Sequence, residues 1–236
     1  MNIEEMKAAD DKMQLAEAIK TMQNEINRKH MENGVIIIDS SSAYIDSDVE
    51  IGKGTVIYPG TILENKTVIG ENCIIGPNTR IINSTVKNNV EIDSSKVIDS
   101  FIDEYTSVGP FAYLRPGTRL GKNVKIGDFV ELKNATVDDG SKASHLSYIG
   151  DAEVGKDVNI GCAVVFVNYD GKKKNKTIVK DGAFIGSNSN LIAPVTIEES
   201  AYVASGSTIT EDVEKETLAI ARARQVNKPG RGAGRY

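Results

Sequence analysis

An aliphatic residue recurs at every sixth position over long stretches of this 236-residue chain. Two unbroken runs are Ile45, Ile51, Ile57, Leu63, Ile69, Ile75 and Ile81, and then Val108, Leu114, Leu120, Ile126 and Leu132. A six-residue period is neither the 3.6-residue period of an amphipathic helix nor the alternation of a half-exposed strand. It is typical of a parallel β-helix, in which one short strand and its turn occupy six residues and each coil stacks on the coil below.

The six-residue rhythm is interrupted and resumes several times. Residues 83–101 blur the register, for which we expect looser corners, and residues 138–140 interrupt it again. Residues 168–176 break it once more and are predicted to form a loop ejected from the repeat. The later rungs are Ile102, Ala143, Ile149, Val154, Ile160, Ile185, Leu191, Ile197, Val203 and Ile209. With three hexads in a coil, the repeat region predicts roughly nine coils.

A helical period precedes the repeats. The apolar stripe consists of Leu15, Ile19, Met22 and Ile26. This spacing predicts one amphipathic helix over residues 10–33, with Asp10 or Asp11 as its N-cap and Gly34 ending it in the left-handed conformation. We expect the helix to dock on the first coil or on a neighbouring subunit.

The pattern therefore predicts an all-β protein in three parts. Residues 1–34 form the N-terminal linker-type helix, residues 35–210 the β-helix, and residues 211–236 a C-terminal arm with a basic tail. The arm segment 218–222 is too apolar to stand free in water. We expect it to pack on this β-helix or on that of a neighbouring subunit.

Composition narrows the functional classes. The net charge of −5 argues against a general nucleic-acid binder, which usually has a basic face. The chain contains no run of about 18 apolar residues, and its N-terminus lacks an apolar signal core, so we expect a cytoplasmic protein without a membrane segment. Cys73 and Cys162 are unclustered, which favours reduced thiols. With only two histidines, a three-histidine zinc site is excluded, and no metal is expected.

Polar residues concentrate between the rungs of residues 108–177. They are Arg115, Glu131, Lys133, His145, Tyr148, Asn159, Asn168, Tyr169 and Lys174. A lone histidine is more often structural, but a histidine near a carboxylate can act as a general base near neutral pH. The lysines of residues 172–176 either form a solvated loop or hold a phosphate, and Arg115 is a second phosphate candidate because its guanidinium can bind in a bidentate manner.

Several longer motifs resemble, in the same order, the acetyltransferase half of the GlmU family. These bacterial bifunctional enzymes join a glucosamine-1-phosphate acetyltransferase, of the hexapeptide-repeat acyltransferase type, to an N-acetylglucosamine-1-phosphate uridyltransferase. The matching segments are residues 111–117, 127–133, 141–153, 168–171 and 219–222, within a similarity over residues 10–228. The resemblance implies a left-handed parallel β-helix, a homotrimer with active sites between subunits, and acetyl-CoA as donor. The left hand comes from the resemblance alone, because crossovers in ordinary sheets are right-handed.

The resemblance also implies roles for individual residues. His145 matches the base that takes a proton from the amine of glucosamine 1-phosphate, and Glu131 matches a carboxylate near that base. The positions that match the sugar-phosphate site are Arg115, Lys133, Tyr148, Asn159 and Lys174. The positions that match the acetyl-CoA site are Cys162, Asn168, Tyr169, Ser187, Ser205 and Arg222. The implied product serves the synthesis of UDP-N-acetylglucosamine and of the cell envelope.

Two departures from the family keep other functions open. The chain begins at what would be the connecting helix, as an excised domain or a stand-alone form, so we expect uridyltransferase chemistry to be missing. In the apolar run 161–167, beside the implied donor site, Ala163 replaces a usual glycine. This run favours an alternative acyltransferase with another amino sugar or acyl-CoA. A non-catalytic trimeric scaffold is a further alternative, and the joint presence of His145, Tyr148 and Asn159 argues against it.

Overall fold

The computed structural model describes residues 12–229, and its first element is the predicted helix. Helix α1 covers Lys12–Glu32, and Ile26 from its apolar stripe is buried. Gly34 has a φ of 90°, so the helix ends in the predicted left-handed conformation. The proposed N-cap at positions 10–11 lies outside the described residues.

The helix docks on the first coil through buried amides as well as apolar side chains. Asn27 is fully buried, and its Nδ2 donates hydrogen bonds to the carbonyl oxygens of Ser40 (2.9 Å) and Ala43 (3.1 Å). The Nε2 of Gln23 donates to the carbonyl oxygen of Ile45 at 3.2 Å. Because these buried carbonyls find donors on the helix, the end of the solenoid is closed by its own chain.

Within the described residues, the chain after this helix contains 28 short strands. The first half comprises β1 (Ile36–Ile37), β2 (Tyr44–Ile45), β3 (Glu50–Ile51), β4 (Val56–Ile57), β5 (Ile62–Glu64), β6 (Val68–Ile69), β7 (Ile74–Ile75), β8 (Arg80–Ile82), β9 (Thr85–Val86), β10 (Glu91–Ile92), β11 (Lys96–Ile98), β12 (Phe101–Ile102), β13 (Ser107–Val108) and β14 (Tyr113–Leu114). The second half comprises β15 (Arg119–Leu120), β16 (Lys125–Asp128), β17 (Glu131–Val137), β18 (Lys142–His145), β19 (Tyr148–Val154), β20 (Asn159–Ile160), β21 (Val165–Val167), β22 (Thr177–Val179), β23 (Phe184–Ile185), β24 (Asn190–Ile192), β25 (Val195–Ile197), β26 (Tyr202–Val203), β27 (Thr208–Ile209) and β28 (Leu218–Ala219).

The strands stack in parallel into a β-solenoid of about ten turns, which confirms the predicted β-helix. In the first coils each strand pairs with the third strand after it, as β1 does with β4, β2 with β5 and β3 with β6. The solenoid therefore has three faces. Face one is the 11-stranded sheet that runs from β1 to β28, and the 17-stranded sheet forms faces two and three. We name the turn from face one to face two edge one, the turn from face two to face three edge two, and the return to face one edge three.

The predicted aliphatic rungs fill the interior. Each of the rungs named from the sequence is buried, except Ile51, which is partly buried against the same core. Small residues four positions after the rungs are buried as well. The Thr55 hydroxyl donates to the carbonyl of Gly70 at 2.8 Å and accepts from the backbone N–H of Cys73 at 3.0 Å. These hydroxyls satisfy buried backbone groups where the chain turns.

The expectation of looser corners in residues 83–101 is wrong. The buried ladder continues there without a gap, and its members are Val86, Ile92, Val97 and Ile102. The coils are shorter instead: Thr55 and Cys73 are stacked 18 residues apart, whereas Ser84 and Ser100 are stacked 16 residues apart. The shortened corners use the left-handed conformation, at Asn83 (φ 46°), Ser94 (φ 43°) and Asp99 (φ 43°). Such small polar residues tolerate this conformation better than most.

The apolar segment of the C-terminal arm adds the last strand to face one. Leu218 pairs with Tyr202 and Ala219 with Val203 in a parallel arrangement. The segment therefore packs on its own β-helix, which was one of the two expected placements. Leu218 nonetheless remains 60% exposed.

Two features are missing from the described part of the chain, residues 12–229. No helix in this range is long and apolar enough to cross a membrane. No group of three or more His, Cys, Asp or Glu side chains in the same range is placed to hold a metal ion.

Candidate functional site

Edge one carries one side chain of chemical interest on each successive coil. Backbone hydrogen bonds from coil to coil place five residues in a single column along this edge. The column is Asp128, His145, Cys162, Ser187 and Ser205. The side chain of Arg222 lies beside Gly206 where this edge ends. The structure thus aligns the predicted base with four of the six residues predicted for the acetyl-CoA site.

His145 is paired with a carboxylate that the sequence did not single out. The Nδ1 atom of His145 lies 2.5 Å from Oδ1 of Asp128, one coil earlier, and the two side chains are 60% and 37% exposed. The hydrogen bond from His145 lowers the pKa of Asp128. Because a carboxylate only accepts hydrogen bonds, it holds the proton of a neutral imidazole on Nδ1. The lone pair of Nε2 is then available to accept a proton.

Glu131, the carboxylate predicted to lie near the base, interacts with Arg115 instead. Its Oε1 atom accepts a hydrogen bond from Nη1 of Arg115 at 2.8 Å. This hydrogen bond raises the pKa of Arg115. Glu131 is also the direct strand partner of Tyr148 on face two. It therefore lies with residues of the predicted sugar-phosphate site, while Asp128 is the carboxylate at His145.

Arg115, Lys133 and Lys174 form a cluster of cations on face two, which we call the cation cluster. Arg115 and Lys133 follow paired residues on neighbouring coils, and their charges act on each other. The adjacent amine of Lys174 is the largest cause of a lowered pKa at Lys133, followed by loss of solvation. Three like charges held together favour an anionic ligand, and a phosphate matches both the guanidinium fork and the mobile ammonium groups.

Tyr148 lies against Gly150 beside this cluster. A Cβ atom at position 150 would collide with Oη of Tyr148 and with Nδ2 of Asn168. The Nδ2 atom of Asn168 also lies 3.4 Å from that hydroxyl. Glycine at this position thus lets the ring lie close to the backbone. Asn168, predicted for the acetyl-CoA site, meets Tyr148, which was predicted for the sugar-phosphate site.

The lysine-rich segment is an ordered hairpin rather than a freely solvated loop. The backbone N–H of Asn175 donates to the carbonyl of Asn168 at 2.7 Å, and Tyr169 bridges to Lys174. At the tip, Oδ1 of Asp170 accepts two backbone N–H groups at 2.8 Å each. The hydrogen bonds from the backbone N–H of Lys173, the side chain of Asn175 and the backbone N–H of Lys172 lower the pKa of Asp170 to about 2. We call residues 168–175 the lysine hairpin, which brings Lys174 to Lys133.

Asn159 is the predicted sugar-phosphate residue that the structure places elsewhere. It begins β20 on face one, where its strand partners are Lys142 and Phe184. The cation cluster lies on face two, across edge one. The structure of one chain therefore does not bring Asn159 together with Lys133. Tyr169 is 58% exposed on the lysine hairpin.

The chain is similar to several known proteins. The family model described as "Bacterial transferase hexapeptide (six repeats)" matches residues 48–83. Over 228 residues the chain is 62% identical to "Bifunctional protein GlmU" of Clostridioides difficile strain 630, an alignment that covers 97% of this chain and 50% of that protein. The chain is thus similar to about half of a GlmU protein.

A second GlmU has the same extent of similarity. The GlmU of Alkaliphilus metalliredigens is 58% identical over 229 residues, which again covers 97% of this chain and 50% of the relative. The chain thus spans about half the length of the GlmU proteins that it matches. Among solved structures, a UDP-N-acetylglucosamine acyltransferase of Francisella novicida aligns with a TM-score of 0.49 and 16% identity, over 79% of this chain and 67% of that chain. That similarity is too weak to carry a conclusion about activity.

Proposed function

We propose that the chain is a glucosamine-1-phosphate N-acetyltransferase that takes its acetyl group from acetyl-CoA. The observation that carries the proposal is that the Asp128–His145 pair lies at edge one and the cation cluster lies on face two, the face that begins at this edge. This reaction needs a base for an amine and an anchor for a phosphate. The similarity to GlmU over nearly the whole chain supports the same reaction. Its product would enter the synthesis of UDP-N-acetylglucosamine and of the cell envelope.

In this proposal the sugar phosphate binds on face two. The cation cluster holds the phosphate, and Tyr148 contacts the sugar beside it. Glu131 keeps the guanidinium of Arg115 in place through their 2.8 Å hydrogen bond. This arrangement directs the amino group toward edge one and His145. A fixed position for the amine removes much of the entropic cost of bringing two substrates together.

His145 then acts as the general base. Its Nε2 atom accepts a proton from the amine as the amine nitrogen attacks the thioester carbonyl carbon. The bond from carbon to sulfur breaks, and the CoA thiolate leaves and takes up a proton. Asp128 stabilises the imidazolium that forms in between and keeps the ring oriented. The acetyl group passes directly to the amine, so no covalent enzyme intermediate is required.

The acetyl-CoA site follows edge one away from His145. From His145 to Ser205 the column advances by three coils, which at the spacing of paired strands is about 15 Å. An extended pantetheine arm is of comparable length, so the thioester can lie at His145 while the nucleotide end lies toward Arg222. That arginine would bind a phosphate of CoA. Tyr169 and Asn168 would border the thioester end from the lysine hairpin.

We also propose that the enzyme acts as a homotrimer in the cytoplasm, with active sites between subunits. Asn159 supports this arrangement, because it lies on face one while the other predicted sugar-phosphate residues lie on face two. An Asn159 supplied by a neighbouring subunit could complete a site that one chain leaves open. The family resemblance points to the same assembly.

The test is thiol release from acetyl-CoA with glucosamine 1-phosphate as acceptor. Glucosamine 6-phosphate serves as the matched acceptor control, because it differs only in the position of the phosphate. We expect release that depends on the 1-phosphate and on His145. A folded protein that releases no thiol with glucosamine 1-phosphate would contradict the proposed function and favour an idle scaffold.

One observation favours a second candidate, an acyltransferase with a different acyl-CoA. Ala163 has a left-handed φ of 58° on edge one, directly after Cys162, at a position where glycine would be unstrained. Ala163 directly adjoins Cys162, a residue of the predicted donor site. Thiol release from propionyl-CoA and longer acyl-CoAs, measured beside acetyl-CoA, distinguishes the two. A preference for a donor other than acetyl-CoA would establish the second candidate.

A further inference from the structure

We propose that Asp151 is a positioning residue for the sugar-phosphate site. It acts through Asn168, which joins Tyr148 to the base of the lysine hairpin. This inference rests on the proposed function, because it assigns Asp151 to the same site. Asp151 belongs to none of the residue sets that the family resemblance implies.

Asp151 lies at edge two between two carboxamides on the neighbouring coils. The Nδ2 atom of Asn134, one coil earlier, donates to its Oδ1 at 2.7 Å. The Nδ2 atom of Asn168, one coil later, donates to its Oδ2 at 2.5 Å. Both oxygens of the carboxylate are therefore engaged. The result is a ladder from amide to carboxylate to amide along this edge.

Asn168 transmits this contact to the site. It is only 7% exposed, and its Nδ2 atom also lies 3.4 Å from the hydroxyl of Tyr148. Its backbone carbonyl accepts the 2.7 Å hydrogen bond from Asn175 that closes the lysine hairpin. One buried residue thus links the aromatic ring on face two, through its side chain, to the hairpin that carries Lys174, through its backbone. The orientation of the Asn168 carboxamide depends on its hydrogen-bond partner at edge two, which is Asp151.

A carboxylate fixes that orientation because it only accepts hydrogen bonds. Both neighbouring carboxamides must therefore turn their N–H groups toward Asp151, and Asn168 presents its Nδ2 atom to both Asp151 and Tyr148. The negative charge also opposes the lowering of the pKa of Lys133 that Lys174 causes. Asp151 thus lies where it orders one side of the phosphate site and partly balances its charge.

The chain supplies a matched control in Asp99, which occupies the same column at edge two. Nδ2 of Asn83 donates to its Oδ1 at 2.6 Å, and its φ of 43° is close to the 48° of Asp151. Alanine at either position loses an acceptor and strains a left-handed backbone to a similar degree. The side chain of Asp151 accepts a hydrogen bond from Asn168 of the lysine hairpin, whereas that of Asp99 accepts one from Asn83. The comparison of Asp151→Ala with Asp99→Ala therefore separates positioning from general stability.

The experiment measures steady-state kinetics and amide hydrogen exchange in the full chain. We expect Asp151→Ala to raise KM for glucosamine 1-phosphate by about tenfold or more, with a much smaller change in kcat. The reason is that Asn168 loses its charge-assisted hydrogen bond to the carboxylate of Asp151. Asp99→Ala should leave KM unchanged, and Asp151→Asn should restore part of the loss because its carboxamide oxygen still accepts one bond. In the absence of substrate, the amide of Asn175 should exchange faster in Asp151→Ala than in Asp99→Ala.

The two readouts separate the failure of this inference from failure of the proposed function. If the parent chain does not acetylate glucosamine 1-phosphate, the proposed function fails and the exchange of Asn175 alone decides the role of Asp151. Equal exchange in the two alanine variants would overturn the inference. Equal KM values for an active Asp151→Ala and Asp99→Ala would also overturn it.

Discussion

At the scale of single residues, the pairing of His145 with Asp128 is the chemical centre of the proposed site. The two side chains lie 2.5 Å apart on consecutive coils, and neither is buried. A partly exposed imidazole can reach a substrate amine. The adjacent carboxylate stabilises the ring when it becomes charged. The orientation of the base is thus set by one contact between coils.

We expect His145→Ala to lower kcat by about 10²- to 10⁴-fold, because the amine loses its general base. Asp128→Ala should lower kcat by about tenfold or more and leave KM for acetyl-CoA unchanged, because it removes the orientation of the ring but not the ring itself. His30→Ala, at the other histidine of the chain, serves as the control and should retain full turnover. Normal turnover in His145→Ala would remove this residue from the role of base.

Lys133 leads to a prediction about pH. Its pKa lies below the ordinary value of 10.5, chiefly because of the Lys174 amine. Since the protonated lysine binds phosphate, affinity for glucosamine 1-phosphate should be lost as the pH rises through this lowered pKa. We therefore expect KM to start rising at a lower pH than an isolated lysine would give.

Lys174→Met removes the cause of that shift. It should raise KM at pH 7 and move the onset of the alkaline rise to higher pH. Lys176→Met is the matched control, since Lys176 follows the same hairpin but pairs with Glu153. KM profiles between pH 7 and the alkaline limit of stability test this. An unchanged onset in Lys174→Met would contradict the pairing of the two amines.

The sequence was sufficient to predict the rungs, but not which polar side chains touch each other. His145 and Asp128 are 17 residues apart, and so are Asn168 and Asp151. Stacked partners elsewhere are 18 or 16 residues apart. Because coil length varies by a residue or two, the period alone could not select Asp128 over Glu131. A search for carboxylates one short coil before each candidate residue would have found both aspartates.

At the scale of elements, the lysine hairpin shows how an insertion stays ordered without a core. Asp170 supplies the order, because its carboxylate accepts from Lys172, Lys173 and Asn175. The sequence indicated a tight turn at this point and left open whether its lysines were solvated. Composition alone could not predict the hydrogen bonds to Asp170 that order this segment.

The pKa of about 2 at Asp170 determines the pH range over which this carboxylate stabilises the hairpin. A depressed carboxyl pKa means that its stabilisation is complete above the ordinary value near 3.9 and is lost as the pH falls through the folded value. We expect hairpin amides to remain protected at pH 4 and to lose protection toward pH 2. Asp170→Ala should lose this protection at neutral pH and raise KM for the sugar phosphate.

Asp139→Ala is the control for Asp170→Ala. The carboxylate of Asp139 likewise accepts a hydrogen bond from a backbone N–H, that of Lys122 at 2.8 Å, but Asp139 lies outside the lysine hairpin. The Asp139→Ala variant should therefore leave the protection of the hairpin amides and the KM for the sugar phosphate unchanged. Retained protection in Asp170→Ala would show that the strand bridge between Tyr169 and Lys174 is enough to order the hairpin.

At the scale of the whole molecule, edge one differs from the other two edges. Most left-handed corner residues at edges two and three are Asn, Asp or Gly, which tolerate a positive φ. The left-handed column of edge one is instead apolar on four consecutive coils, between Ser94 and Asn188, at Phe111, Phe129, Leu146 and Ala163. The three larger side chains are 57–59% exposed, and the two phenylalanine rings stack at 5.4 Å. Bulky apolar residues in an unfavourable conformation at the surface indicate an interface, and in the proposed homotrimer a neighbouring subunit would cover them.

This apolar column immediately follows Asp128 and His145 in sequence, so the contact that assembles the trimer would also enclose the base. We expect Phe129→Asn to weaken assembly and lower turnover, while the free energy of unfolding of one chain is kept or raised because asparagine suits a φ of 56°. Tyr105→Asn is the matched control, with an exposed aromatic residue at a φ of 61° on edge three, and it should keep both assembly and turnover. Sedimentation velocity, with activity measured over a range of protein concentrations, checks both variants. Recovery of turnover at high concentration of Phe129→Asn would show that assembly completes the site, whereas an intact assembly with full turnover would place the subunit contact on another surface.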